Sequence, residues 1–195
     1  SDWGEEVLTQ GGALGLVQKK RQVASSVYAY LNSDKNLDLG IDEYEKYEDS
    51  KFNELLRIID EVFRHGTKKI VIFALFRKTL KYLQIRFKKY SFGTLMIHGQ
   101  VENRAEILEE FRTNPNAHIL LSSEVGSEGL DMQFCDAIVN YDLPWNPMVV
   151  EQRIGRIDRF GQQSPVVNIY SLVTTNSIQE IVYDRLLSRI GVFRE

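Results

Sequence analysis

Five apolar runs of strand length, alternating with stretches of helical periodicity, constrain the fold of this chain more than any other feature. The runs are "IVIFALF" (70–76), "GTLMIHG" (93–99), "AHILLSS" (117–123), "DAIVNY" (136–141) and "PVVNIYSL" (165–172). Helical patterns lie between and after them at 77–89, 103–112, 147–157 and 176–191. A strand apolar at consecutive positions has no solvent face and must be covered on both sides; helices alternating with parallel strands supply that cover. The predicted architecture is therefore α/β, a parallel sheet of about five or six strands in a three-layer α-β-α arrangement. In such sheets functional residues gather in loops at the carboxyl ends of the strands.

Ahead of the first run, residues 51–63 set Phe52, Leu55, Leu56, Ile59, Val62 and Phe63 on one helical face. Residues 13–31 step apolar side chains by three and four, including Leu16, Val23, Val27 and Leu31, and predict another helix. Between these, 32–50 holds seven acidic residues against two lysines, the composition of a solvated loop. The expected division is an N-terminal helical extension with an acidic linker over 1–50, followed by the α/β domain over 51–195.

The chain's 43% hydrophobic and 26% charged content suits a folded domain with a real core. A net charge of −3 gives no global pull on polyanions, so any such site depends on local clustering. Cys135 is the single cysteine, which excludes an internal disulfide framework and a cysteine-rich zinc site; it reads as a small core residue. No run approaches the ~20 apolar residues of a membrane span and no signal-like segment opens the chain, so no membrane partner is expected and the location reads as cytosolic or nuclear.

A parallel α/β sheet invites a search for a nucleotide site. The phosphate loop GxxxxGK[ST] and the GxGxxG fingerprint are both absent, and the nearest fragment, "GTKK" (66–69), precedes its strand instead of following it. Asp42 with Glu43 stands in the acidic loop, and Asp60 with Glu61 lies on an amphipathic helix; neither has the strand context of a magnesium-binding acid pair. His65, His98 and His118 show no ligand spacing, so no metal site is expected from this chain.

"EQRIGRIDRFGQ" (151–162) is the unusual stretch. On a helix, Arg153, Arg156 and Arg159 form one slowly drifting stripe and Ile154, Ile157 and Phe160 a second beside it. Such an element would dock by its apolar stripe and project guanidinium groups sideways, with Gly155 permitting close approach. A solvated basic face, partly neutralised by Asp158, is the alternative.

The order and spacing of "IVIFALFRKTLKYL", "IHGQVENRAEILEEF", "ILLSSEVGSEGLDMQFCDAIVNYDLPWNP" and "EQRIGRIDRFGQ" resemble the motifs in the second RecA-like lobe of superfamily-two helicases. "DLPWNP" and "RFGQ" look like the Swi/Snf class of double-stranded-DNA translocases, and "SSEVGSEGLDMQ" is closer to bacterial RapA-like members than to eukaryotic remodellers, which usually have an Arg-Ala-Gly-Gly-type segment there. The resemblance covers 51–193, and 13–31 more loosely. It implies a RecA-like sheet and an ATP hydrolase whose site lies between two lobes, with ATP and Mg2+ held mainly by an N-terminal lobe. It also implies that the isolated lobe is inactive.

By the same resemblance, Arg156 and Arg159 are arginine fingers, while Gln152, Gly129 and Asp131 lie at the nucleotide. Arg77, Lys78, His98, Gly99, Arg104, Ser122, Ser123 and Trp145 lie toward nucleic acid; His98 as a rim residue and Trp145 as core packing stay open. Glu124 departs from the remodeller pattern and is expected to pair with a neighbouring Arg or Lys. The implied partners are double-stranded DNA, the N-terminal lobe and, further out, RNA polymerase or other DNA-bound proteins. The implied location is cytoplasmic and nucleoid-associated in a bacterium, or nuclear in a eukaryote. The competing reading is a non-catalytic nucleic-acid-binding or scaffold module derived from such a lobe; "WNP" and "RFGQ" weigh against an RNA-directed helicase.

Overall fold

The structure, a computed structural model, describes residues 10–31, 49–67, 69–162 and 164–175, with 179–181, 183, 184 and 188 beyond them. Most of the expected acidic linker and most of the expected last helix lie outside the described residues. All five apolar runs form strands: β1 (Ile70–Phe73), β2 (Gly93–Ile97), β3 (Ala117–Ser122), β4 (Ala137–Asn140) and β5 (Asn168–Ser171). They make one sheet, order β2-β3-β1-β4-β5, with every neighbouring pair parallel.

The helices are α1 (Gln10–Ser25), α2 (Val27–Leu31), α3 (Ser50–Arg64), α4 (Arg77–Lys88), α5 (Arg104–Thr113), α6 (Glu124–Ser127) and α7 (Pro147–Ile154). Asp49 caps α3 by accepting from the Phe52 N–H at 2.9 Å. Asn146 caps α7, with Pro147 in the first turn where its missing N–H costs nothing. The single helix expected over 13–31 is interrupted at Ser26. The interruption adjoins Ser25, whose hydroxyl is held by Asp142 at 2.6 Å and lies 2.8 Å from that of Thr79; serine readily trades helical bonds for such contacts.

Strand alternation divides the core in two. Ile70, Ile72, Ile119, Leu121, Ala137 and Val139 face α3 and α4, meeting Leu55, Ile59, Leu80, Leu83 and Phe87. Val71, Phe73, Leu120 and Ile138 face the other way, against Phe111 of α5 and against Met132, Cys135 and Ile157. Burial of both faces explains the unbroken apolar runs of β1, β3 and β4, whereas the edge strands β2 and β5 are only partly buried. The chain leaves β1 toward one face and leaves β3 and β4 toward the other. Such a reversal of direction beside β1 is the kind of point at which ligands collect in open α/β sheets, at the carboxyl ends of the strands.

Candidate nucleotide and nucleic-acid site

The first group of polar residues comes from the carboxyl ends of β1, β2 and β3. Ser123 caps α6: its Oγ accepts from the Gly126 N–H at 3.1 Å, while its own N–H donates to the Ile97 carbonyl at 3.1 Å. Gly126 lies so close to β2 that a Cβ would stand 2.5 Å from the Ile97 carbonyl oxygen. Arg104, opening α5, donates from Nη1 to the Val125 carbonyl at 3.0 Å, and a Cβ on Gly99 would meet Val125 Cγ1 at 3.0 Å. Arg77 donates to the Gln100 side chain, whose backbone N–H donates to His98 Nδ1 at 3.3 Å.

Arg77, Lys78, His98, Gly99, Arg104 and Ser123 thus share one end of the sheet, with Arg77, Lys78 and Gly99 exposed. Partial desolvation and the nearby Arg77 charge hold His98 below the ordinary histidine pKa. Ser122 differs from expectation. It is fully buried and its hydroxyl donates to the Ser123 carbonyl at 3.0 Å, so its side chain is inaccessible to a ligand. Trp145 belongs to the loop after β4, half-exposed, with the Arg21 guanidinium of α1 6.0 Å from its ring centroid.

The arginine stretch does not form one stripe. α7 stops at Ile154 with Gly155 as its cap, and residues 155–161 continue as turns. Arg153 is buried: Nε donates to Glu124 at 2.8 Å, Nη1 to Asn140 Oδ1 at 2.7 Å and to the Asp142 carbonyl at 3.2 Å. Its guanidinium sits 4.7 Å from the Phe73 ring centroid. Burial lowers its pKa, and Glu124 offsets part of that effect. The expectation that Glu124 pairs with a basic neighbour holds. Ile157 is core, whereas Phe160 is wholly exposed, so the predicted apolar stripe ends with Ile157.

Arg156 and Arg159 point elsewhere. Arg156 donates from Nη1 to the Ser127 carbonyl at 2.6 Å, and its carbonyl accepts from Met132 N at 3.0 Å. Its Nε is buried with no hydrogen-bond partner among the described residues. Arg159 is ion-paired with Asp131, and both side chains are more than half exposed. Gly129 turns the chain ahead of Asp131 with φ +75°, a conformation that favours glycine. Gln162 fixes the far end by donating to the Cys135 and Ile157 carbonyls at 2.8 and 3.1 Å. Arg156, Arg159, Asp131 and Gly129 therefore gather along α6 and the loop after it, while Gln152 is exposed on α7.

Two partners of this region escaped sequence reasoning. Asp142 is buried at the carboxyl end of β4 and accepts from Ser25, Leu75 N, Lys51 and Gln179. Lys51 opens α3 and also donates to the Ala24 carbonyl at 2.8 Å. These bonds join the N-terminal helices, α3 and the residues after β5 at the sheet's functional end.

The parallel sheet flanked by helices is a RecA-like α/β fold. It matches the "Sulfolobus solfataricus SWI2/SNF2 ATPase core in complex with dsDNA" with a TM-score of 0.69 and 24% identity, over 91% of this chain and 36% of that one. The helicase conserved C-terminal domain matches residues 50–161. The chain belongs to that family. It is 32% identical over 143 residues to the "Uncharacterized ATP-dependent helicase YqhH" of Bacillus subtilis, covering 73% of this chain and 25% of that protein. It is 33% identical over 143 residues to the "DNA repair and recombination protein RAD54B" of Mus musculus, covering 71% and 16%. The chain thus spans a quarter or less of the length of these relatives.

Proposed function

We propose that the chain is the C-terminal motor lobe of an ATP-dependent, DNA-stimulated double-stranded-DNA translocase, nearest the RapA-like subgroup. Arg156 and Arg159 act as arginine fingers on a nucleotide carried by an N-terminal lobe. The observation that carries the reading is the gathering of Arg156, Arg159, Asp131 and Gly129 beside α6 in a chain with no phosphate loop. Bound ATP with Mg2+ supplies the γ-phosphoryl group and its charge neutralisation. From this lobe Gln152, Gly129 and Asp131 would border the nucleotide, and a planar guanidinium meets the spread phosphoryl charge better than an ammonium.

Arg159 must exchange Asp131 for a phosphate, and magnitudes favour the exchange. An exposed ion pair contributes only about 0–1 kcal/mol. A finger lowers the barrier by about 4–7 kcal/mol, equivalent to ~10³–10⁵ in rate. Arg77, Lys78, His98, Gly99, Arg104, Ser123 and Trp145 would meet the duplex, chiefly at its phosphates, which position the protein without reading sequence.

The test is hydrolysis by the 195-residue chain with ATP, Mg2+ and duplex DNA, repeated after the N-terminal lobe is restored. Turnover should be absent in the first assay and DNA-stimulated in the second. Robust turnover by the chain alone refutes the two-lobe site; none from the restored protein favours the scaffold reading.

A further inference from the structure

α6 is too short to hold itself in place. One helical turn forms few internal bonds and is unstable alone, so its position is set by what it touches. Three contacts fan out from its four residues. The Val125 carbonyl accepts from Arg104, in the group proposed to meet DNA; the Ser127 carbonyl accepts from Arg156, in the group proposed to meet ATP. The Glu124 carboxylate accepts from Arg153. At about 1.5 Å of rise per residue the whole turn is ~6 Å long, so displacing one contact displaces the others.

Arg153 is the fixed end of this set. Asn140, the Asp142 carbonyl and the Phe73 ring hold its guanidinium to the ends of β4 and β1. Glu124 is the side chain by which α6 shares that attachment. The pair is also unfinished. Arg153 Nη2 and Glu124 Oε1 are both buried with no hydrogen-bond partner among the described residues, which leaves a donor and an acceptor spare on two side chains already bonded through Nε and Oε2. A small rotation would give the parallel two-bond fork, the stronger form of an arginine–carboxylate contact.

Resting on the proposed function, we propose that Glu124 and Arg153 form a positioning pair. Through the Ser127 carbonyl the pair sets where Arg156 points, and through Val125 it ties that placement to Arg104, so that DNA at the strand ends promotes hydrolysis. Neither residue touches the reacting atoms. Its loss therefore lowers kcat without weakening ATP or DNA binding.

The test compares Glu124→Gln, Glu124→Asp, Arg156→Lys and the Glu124→Gln/Arg156→Lys double variant in the two-lobe protein. The readouts are DNA-stimulated kcat, KM for ATP and affinity for duplex DNA. Glu124→Gln should lower kcat about tenfold or more with KM and DNA affinity moving less than about threefold. The double variant should be no slower than Arg156→Lys, the non-additivity of residues acting as a unit. Glu124→Asp, which keeps the charge, should recover part of the rate.

Wild-type kcat in Glu124→Gln, or losses that multiply in the double variant, would overturn the pair while leaving the fingers in place. Wild-type turnover in Arg156→Lys would overturn the finger role of Arg156 and the pair's role with it. If Glu124→Gln fails to fold, Glu124→Asp alone and combined with Arg156→Lys carries the same criteria.

Discussion

Replacing Asp142 by asparagine should cost this chain about 3 kcal/mol of stability, by an argument that follows from its four donors. Oδ2 accepts from Ser25 Oγ at 2.6 Å and Leu75 N at 3.0 Å; Oδ1 accepts from Lys51 Nζ at 3.1 Å and Gln179 Nε2 at 3.3 Å. A carboxylate only accepts, whereas an asparagine side chain offers one accepting oxygen and one donating nitrogen. Whichever way it turns, its NH2 faces two donors. With the oxygen kept on Ser25 and Leu75, Lys51 loses its counter-charge while only 13% exposed. Breaking a buried pair from one side costs about 3–5 kcal/mol. The lower end applies because Lys51 keeps the Ala24 carbonyl at 2.8 Å and the Tyr141 ring at 4.4 Å.

In a domain of this size about 1 kcal/mol corresponds to ~2–4 °C, so Tm should fall by about 6–12 °C. Urea and thermal unfolding of Asp142→Asn, Lys51→Met and the double variant measure this directly. The double should recover at least about 1.5 kcal/mol, because removing both charges of a buried pair is far less costly than stranding one. Hydrogen exchange should quicken in the last turn of α1, which Ser25 and Ala24 tie to the sheet. A loss below about 1 kcal/mol with no coupling to Lys51 would refute the reasoning.

Other features give sharper, smaller tests. Cys135 is fully buried and its thiol is pushed well above the ordinary range by burial, with Asp136 adding to the effect; maleimide should label it only after unfolding, and rapid labelling of native protein would contradict that burial. His98 should titrate below 6.5 by NMR, and Arg77→Gln should raise its midpoint. The sign follows: the unfolded chain takes up this proton first as pH falls, so the stabilising contribution is full above about 6.5 and declines as acid titrates the folded imidazole. Gly126→Ala should cost about 1–3 kcal/mol, because its Cβ would press on the Ile97 carbonyl and the backbone at His98; an unchanged melting curve would mean that α6 moves freely.

The sheet was legible because its inner strands β1, β3 and β4 are buried on both faces, which calls for continuous apolar runs such as "IVIF". Their order was not, since "IVIF" and "HILL" become neighbours only after the chain has passed through the edge strand β2. The arginine stretch was legible as unusual and misread as a shape. Three-residue spacing cannot show that Gly155 ends the helix, so Arg153 turned inward to Glu124 while Phe160 was left in solvent. Ser122 and Ser123 look alike in "LLSSE", yet one closes a buried strand and the other caps a helix. Asp142 gave no signal at all. Its partners lie up to 117 residues away, and a single acid after an apolar strand has no local pattern to mark it.

The central claim is that Arg156 and Arg159 complete an ATP site whose phosphate-binding half lies in another lobe. The most direct measurement is steady-state hydrolysis by the two-lobe protein carrying Arg156→Ala or Arg159→Ala, with duplex-DNA affinity measured on the same samples. The account predicts that each variant loses about 10³-fold or more in kcat while DNA affinity stays within about threefold. Wild-type turnover in both variants would contradict it.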